Sequence, residues 1–399
     1  MSILFTHAYY LSDDPKEQKI MKPYPPLGLL YVSGYLKSKN ISNDVFDTTF
    51  SNQTTQLEFI LEKKPKVICI YTNLMTKIEV IKLMKILKTE TYNFPKIVLG
   101  GPDVTYNVEN YFDCVDDSLT NDSEYLPGGM RGWNYERYQR KQANIAKVIT
   151  ALGGWDAPAI VGLCEIESEK CLWDLTQQSG LKNLKYKFLH HESPDARGVD
   201  VGLLYQPKMF RPIHDEAIRI NNPQSPQSKT RDILFASGIV PTGDTLHIFV
   251  CHFPSRLGGE LESEDKRIFV ASVLRNKGDF NDYPTNESIS GTLKALNPEG
   301  DFSNQSLYNL MYPIHKAGKG SHKHEGEWGA LDQIIVSGNL LQTQNAFSTL
   351  ISDAHVFDAD FLLENDDKYL GKQPFRTYVG MKYHGGFADH LPVYIDFWY

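Results

Sequence analysis

The sequence predicts an α/β protein built from two successive parts. Residues 1–104 alternate short apolar strands with helix-like segments, whereas residues 105–399 carry a series of apolar strands that each end in polar residues. The basic residues change as well, since residues 1–113 contain 13 Lys and no Arg, and residues 114–399 contain 17 Lys and 11 Arg. We interpret this change as an indication that the chain is a fusion.

Length, net charge and cysteine spacing limit the class of protein to which the chain can belong. At 399 residues the chain is long enough for two domains. A net charge of −8 disfavours a strongly basic nucleic-acid clamp but leaves nucleic acid open as a substrate. The sequence predicts neither a signal peptide nor a membrane span, and the five cysteines lack disulfide or metal-ligand spacing. We therefore expect a cytoplasmic protein without a membrane partner.

The first part has the pattern of a doubly wound parallel sheet. Residues 3–5, 66–71 and 96–99 are apolar runs typical of buried strands. Residues 26–39 and 77–88 have the spacing of amphipathic helices. This alternation predicts parallel strands joined by helices.

Residues 25–37 (PPLGLLYVSGYLK) and 96–105 (KIVLGGPDVT) resemble the cobalamin-binding domain that precedes radical S-adenosylmethionine enzymes. The resemblance implies a flavodoxin-like domain over residues 1–104. The sequence has no Asp-x-His-x-x-Gly motif and no Cys-x-x-x-Cys-x-x-Cys motif. We therefore expect a truncated domain in which cobalamin is not a cofactor, while a cobalamin-binding module with a passenger domain stays an alternative.

The second part carries short motifs in a fixed order. They are residues 106–110 (YNVEN), 160–165 (IVGLCE), 197–205 (RGVDVGLLY), 247–253 (HIFVCHF), 278–282 (GDFND), 331–336 (LDQIIV) and 387–393 (FADHLPV). We interpret each apolar run as a buried strand whose polar residue lies at or just beyond its C-terminal end, so polar side chains from separate strands can converge on one edge of a sandwich.

The converging side chains suit phosphodiester hydrolysis. Glu165 offers a hard oxygen ligand for Mg²⁺, and Asn107 and Asn281 can orient metal-bound water or phosphate without adding charge. His252 and His390 can donate to phosphate oxygens or move protons.

Two acids complete this set. Asp332 and Asp389 can hold an imidazole in one tautomer, as carboxylate–histidine pairs do elsewhere.

GDFND followed by a terminal DHLPV resembles the endonuclease/exonuclease/phosphatase family over residues 105–399. That resemblance implies a four-layer, deoxyribonuclease-like α/β sandwich and a phosphodiesterase or nuclease that uses Mg²⁺, with Mn²⁺ as an alternative. Its partners would be phosphoester substrates, with DNA and RNA among the candidates.

The resemblance also implies a role for each matching residue. Asn107, Glu165 and Asp389 would serve the metal, and Asp279 would position the attacking water. Asn281 would hold the phosphate and His252 would polarise it. Asp332 would orient His390 toward the phosphate in the transition state.

Two departures from the family pattern predict damaged geometry. Residues 100–105 (GGPDVT) precede the YNVEN motif, so we expect a short or absent first strand and a displaced Asn107. The helical residues 266–277 run directly into Gly278, so a central strand is expected to be missing. A catalytically impaired fusion is therefore the alternative reading. The pairs His190–His191 and His322–His324 are interpreted as solvated loop residues.

Overall fold

The computed structural model divides the chain into two compact units. The first comprises Met1–Gly100 with Gly154–Asp156, and the second comprises Gly101–Gly153 with Ala157–Tyr399. The structure describes residues 3–7, 10–11, 33–34, 36–37, 39, 41–71, 83, 96–98, 102–117, 120–153, 157–222, 229–255, 260–274 and 282–399.

The described elements of the first unit form a parallel sheet with one helix. They are β1 (Ile3–His7), β2 (Asn43–Phe46), α1 (Gln53–Lys63), β3 (Val67–Tyr71) and β4 (Lys96–Val98). The strand order is β2-β1-β3-β4, and every pairing is parallel. Helix α1 begins after Asn52, whose side chain accepts a hydrogen bond from Thr55 N, and its Ile60 packs with Leu4 and Ile68.

Three strands of this unit lie where the sequence predicts them, at residues 3–5, 66–71 and 96–99. The helices predicted at residues 26–39 and 77–88 fall mostly outside the described residues. The proposed kinship with cobalamin-binding domains and the domain boundary at residue 104 therefore stay predictions.

The second unit contains the remaining strands and longer helices. They are β5 (Pro102–Tyr111), α2 (Tyr135–Gly153), β6 (Ile160–Ile166), α3 (Glu169–Gln178), β7 (Lys187–His190), β8 (Asp200–Tyr205), β9 (Arg211–Ile218), β10 (Ile233–Ile239), β11 (Thr245–Val250), α4 (Glu260–Leu274), β12 (Ala295–Leu296), β13 (Leu307–Asn309), α5 (Tyr312–Lys316), β14 (His322–His324), β15 (Glu327–Gly329), β16 (Ile335–Ser337), β17 (Ala354–Val356), β18 (Leu363–Asn365), β19 (Lys372–Pro374), β20 (Tyr378–Val379), β21 (Lys382–Tyr383) and β22 (Val393–Asp396). Short 3₁₀ turns and one π-helical turn (Glu287–Thr292) connect them.

A six-stranded sheet, ordered β17-β22-β5-β6-β8-β7, lies at the centre of the second unit. Successive residues of β6 face opposite sides of this sheet, as the pleat of a strand requires. Val161 and Leu163 pack in one core with α2 and α3, while Ile160 and Cys164 pack in another with β10 and β11. The sheet is therefore buried on both faces.

Strand β5 corrects one expectation from the sequence. The segment that begins at Pro102 was expected to give a short or absent strand, yet β5 has ten residues. It pairs with β6 from Val104 to Tyr111 and with β22 from Pro102 to Thr105. Proline is tolerated at the first residue of a strand, and pairing on both sides overrides the local turn pattern. Asn107 consequently lies within a central strand, opposite Cys164.

The second layer contains two three-stranded sheets, β11-β10-β9 and β12-β13-β16. Helix α4 packs behind the first of them through Val270 and Ala271, in a core shared with Cys251 of the segment after β11. The order helix, sheet, sheet, helix gives a mixed α/β fold, as predicted.

Strands β11 and β16 also line an apolar cavity of about 320 Å³ together with Leu203 and Phe397. The strand expected to be missing before Gly278 stays a prediction, because residues 275–281 are outside the described residues.

Within the described part of the chain, no helix combines the length and the apolar character needed to cross a membrane.

Candidate active site

Glu165 projects from a bulge near the end of β6. Its backbone adopts a left-handed conformation with φ 64°, and the β6–β8 register shifts between Cys164 and Ile166. A bulge inserts an extra residue and re-aims its side chain, which is common beside active sites. Glu165 Oε2 accepts a hydrogen bond from Asn110 N at 2.8 Å. The carboxylate is therefore fixed by the neighbouring strand.

The end of β5 has a matching distortion. Glu109 and Asn110 have φ of 52° and 56°, and the β5–β6 register shifts between Asn107 and Tyr111. Asn107 is buried, and its Oδ1 accepts a hydrogen bond from Glu109 N at 3.0 Å. Non-glycine residues in both β5 and β6 thus adopt the left-handed backbone conformation, which is strained for them. These distortions direct polar side chains of the two strands toward the same site.

His252 follows β11 and reaches the same place. Its Nε2 lies 3.7 Å from Glu165 Oε1, and the side chain is almost completely buried. Burial, followed by the charges of Arg231, Arg197 and His390, holds the pKa of His252 well below its ordinary value. His252 is therefore neutral at neutral pH and can donate from only one ring nitrogen.

The predicted pairing of His390 with Asp332 is present. His390 Nδ1 lies 2.7 Å from Asp332 Oδ2, and both side chains are buried. Ser321 Oγ donates to the same carboxylate oxygen, and Asp332 N donates back to Ser321 Oγ at 3.4 Å. These contacts fix the orientation of the imidazole.

Asp389 and His322 lie beside this pair. The rings of His322 and His390 are 4.7 Å apart between centroids, and the two residues form a β-bridge. Burial raises the pKa of Asp389, but His390, His322 and Arg376 together lower it below its ordinary value. The interpretation of His322 as a solvated loop residue is wrong, because His322 lies in β14 and its ring packs against His390. Burial and the charge of His390 lower the pKa of His322 to about 3.

Glu109 and Lys141 belong to the site but were not predicted. Lys141 is fully buried in α2, and its Nζ donates to Thr377 Oγ1 at 2.5 Å and to Phe387 O at 2.6 Å. Glu109 Oε2 accepts from Thr377 N at 2.9 Å. Burial and the charge of Asp389 raise the pKa of Glu109 to about 7, although Lys141 opposes them.

Different signals could have found these two residues. Glu109 stands two positions after Asn107 in the YNVEN motif, so the motif could have indicated it. Lys141 left no such signal, because lysines in amphipathic helices are usually solvated.

The oxygen donors fit a hard divalent cation. Glu165, Asn107 and Asp389 offer carboxylate and amide oxygens, and Mg²⁺ commonly takes one or two protein carboxylates with water and phosphate oxygens. Among the described residues, two groups of His, Cys, Asp or Glu have three potential ligand atoms within 4.8 Å of one another, and neither includes Glu165. They are Asp113–Glu167–Cys171 and His190–Glu192–Asp200.

Two of the predicted site residues cannot be placed. Asp279 and Asn281 lie outside the described residues. Of the predicted set, Asn107, Glu165 and His252 form one group and Asp332, Asp389 and His390 form another. The two groups lie near each other, since the charge of His390 helps to lower the pKa of His252.

Comparison with known proteins identifies the second unit. The sequence model of the Endonuclease/Exonuclease/phosphatase family matches residues 104–398, which is most of the chain. The chain belongs to this family. Its members are phosphoesterases and nucleases, so a phosphoesterase is a plausible activity.

Solved structures of the endonuclease/exonuclease/phosphatase family are similar at low identity. A family protein from Bacteroides thetaiotaomicron is 16% identical, with a TM-score of 0.45, covering 75% of this chain and 97% of that one. The human Nocturnin catalytic domain is 16% identical, with a TM-score of 0.43 and coverages of 75% and 95%. A mannosyl-6-phosphatase from Bacteroides thetaiotaomicron is 15% identical, with a TM-score of 0.45 and coverages of 75% and 99%. No curated protein matches the chain significantly.

Proposed function

We propose that the second unit is a divalent-metal-dependent phosphoesterase that hydrolyses P–O bonds, with phosphodiesters, including DNA or RNA, as the preferred substrate class. One observation carries this proposal. The charge of the buried, Asp332-paired His390 acts on His252, which contacts Glu165, and membership of the family supplies the chemistry that these side chains perform.

Each side chain has a role in this proposal. Asn107, Glu165 and Asp389 would hold Mg²⁺, with Mn²⁺ as a substitute, and the ion would neutralise charge at the phosphate oxygens. His390, oriented by Asp332, donates from Nε2 to a phosphate oxygen in the transition state. Neutral His252 donates a further hydrogen bond. Asp279 and Asn281 position water and phosphate by family resemblance.

Glu109 gives the site a further property. Its carboxyl is one of several buried acids near Asp389, and the Lys141 ammonium offsets part of their negative charge. The buried carboxylates favour a cation, while Lys141, Arg197, Arg231 and Arg376 supply positive charge that a phosphate can use. The phosphate therefore binds together with the cation.

The test is hydrolysis of bis-p-nitrophenyl phosphate and of plasmid DNA with Mg²⁺ or Mn²⁺. Wild type is compared with His390→Ala and with His324→Ala, whose side chain is exposed on the same hairpin that carries His322. We expect turnover that requires metal, is abolished by a chelator and is lost only in His390→Ala.

Two outcomes separate the alternatives. Robust wild-type turnover that vanishes in His390→Ala would overturn the impaired-fusion reading. Wild-type protein that is folded, yet has no metal-dependent turnover on any phosphomonoester or phosphodiester tested, would overturn the proposed function.

A further inference from the structure

We propose that His190, Glu192 and Asp200 form a second metal site, which binds a divalent transition-metal ion such as Zn²⁺ or Mn²⁺ and fixes the loop between β7 and β8. This site shares no residue with the candidate active site.

The antiparallel pairing of β7 with β8 brings the three residues together. His190 ends β7 opposite Gly202, and Asp200 begins β8. His190 Nε2 lies 3.2 Å from Asp200 Oδ2, and His190 Nδ1 lies 3.9 Å from Glu192 Oε1. One ligand atom from each residue lies within 4.8 Å of the other two. The strand register therefore fixes two of the three ligands.

His190 supplies an independent observation that points to a ligand. Its side chain is only 3% exposed, so its interpretation as a solvated loop residue is wrong. Its Nε2 has no hydrogen-bond partner among the described residues, although Asp200 Oδ2 is close. An unsatisfied buried polar atom costs free energy and calls for an explanation. A cation bound between this nitrogen and the carboxylate would satisfy both atoms.

Asp200 is arranged as a metal ligand. Its Oδ1 accepts hydrogen bonds from Ser193 N at 3.0 Å and from Ser193 Oγ, which leaves Oδ2 to face His190. Partners of this kind orient the carboxylate that binds a metal. The Glu192 side chain, the third ligand, is 68% exposed, so a metal ion can reach the site from solvent on that side.

The surrounding charge favours a cation. Asp232 is buried nearby, and burial followed by the charge of Asp200 raises its pKa, while Arg219 opposes the shift. Arg219 Nε lies 3.2 Å from Asp232 and offsets one of these negative charges. The carboxyl groups of Glu192 and Asp200 lie together here, and a divalent ion would neutralise the negative charge that they concentrate.

The mixture of ligands selects the class of metal. One imidazole nitrogen with two carboxylates suits divalent transition-metal ions such as Mn²⁺ and Zn²⁺, whereas Mg²⁺ and Ca²⁺ prefer oxygen ligands alone. Bound water would complete the coordination. Because the ligands come from both ends of the β7–β8 connection, the ion would hold that loop in one conformation.

The experiment titrates ZnCl₂ and MnCl₂ into chelator-treated full-length Glu165→Gln protein by calorimetry. This background removes a ligand of the candidate active site. We expect about one equivalent to bind, and adding His190→Gln should weaken binding at least tenfold. His191→Gln is the matched control, because its imidazole pairs with Asp215 instead. Cys171→Ser controls for the other ligand group and should also leave binding unchanged.

A second variant keeps the proposal testable if His190→Gln fails to fold. Glu192→Gln changes an exposed side chain and should retain the fold, while weakening binding tenfold or more. Cobalt(II) provides a spectroscopic readout, since its visible bands should appear in the background protein and be lost in both variants. Stoichiometric binding that is unchanged in Glu192→Gln, or no binding in the background protein, would show an ordinary His190–Asp200 ion pair and overturn the proposal.

Discussion

His390 Nδ1 lies 2.7 Å from Asp332 Oδ2, although the two residues are 58 positions apart in the sequence. Hydrogen bonds to Ser321 hold the chain segments of both residues in place. Leu391 N donates to Ser321 O at 2.7 Å, and Ser321 Oγ donates to Asp332. The geometry of the imidazole thus depends on three chain segments at once.

We expect Asp332→Asn to lower kcat for phosphoester hydrolysis by about 10²–10⁴-fold, because the amide can stabilise the wrong imidazole tautomer. Steady-state kinetics measure the effect, and circular dichroism checks that the fold is retained. Asp367→Asn, an exposed change, is the control. Turnover within twofold of wild type would show that Asp332 does not orient His390.

Lys141→Met should lower the free energy of unfolding by about 3–5 kcal/mol, since the change leaves buried Glu109 without its nearby cation. It also removes the donor to Phe387 O and Thr377 Oγ1. Urea denaturation measures the loss. Lys147→Met, at an exposed position of the same helix, removes a cation–π contact with Phe361 and should change stability by less than about 1 kcal/mol. Equal effects of the two substitutions would contradict this account.

Gly320→Ala should both destabilise the protein and reduce turnover. A Cβ at Gly320 would lie 2.0 Å from the carbonyl carbon of Gly329, so the β14–β15 hairpin would have to separate near Ser321. Overpacking of this kind costs about 1–3 kcal/mol. Gly180→Ala is the control, because its nearest neighbour would be Ala146 Cβ at 4.0 Å. Thermal unfolding and kinetics should separate the two variants.

Labelling of Cys114 should be slow in the folded protein at pH 8. Burial, followed by the charges of Asp113 and Glu167, raises the pKa of the Cys114 thiol to about 11. At pH 8 roughly a thousandth of this thiol would be thiolate, the form that reacts. Iodoacetamide labelling followed by mass spectrometry should show Cys114 reacting faster as the pH rises toward 11. A labelling rate at pH 8 equal to that in urea would contradict the raised pKa.

The sequence predicted much of this site because its strands are locally encoded. The apolar run that leads to Glu165 forms β6, as its pattern indicates, whereas Asp332 precedes β16 and does not follow a strand as expected. The His390–Asp332 pairing was also foreseen, since an aspartate beside an imidazole in this motif series has a specific chemical use.

Other features depend on contacts between distant residues, which a local sequence pattern does not predict. The glycines before Pro102 favoured a turn, whereas pairing with β6 and β22 makes a long strand from Pro102 onward. Lys141 looks like an ordinary helical lysine, and only packing against Thr377, 236 positions away, buries it. His190 was misjudged for the same reason, because Asp200 reaches it through the register of two strands.

The left-handed backbone at Glu165 constrains how this protein can be altered. Glycine is the residue that adopts such a conformation without steric cost, so Glu165→Gly would relieve backbone strain of about 1–3 kcal/mol. The same change would delete a carboxylate of the candidate active site. Selection for thermostability and selection for turnover should therefore favour different residues at this position. Substitutions made to stabilise the protein should leave Glu165 unchanged.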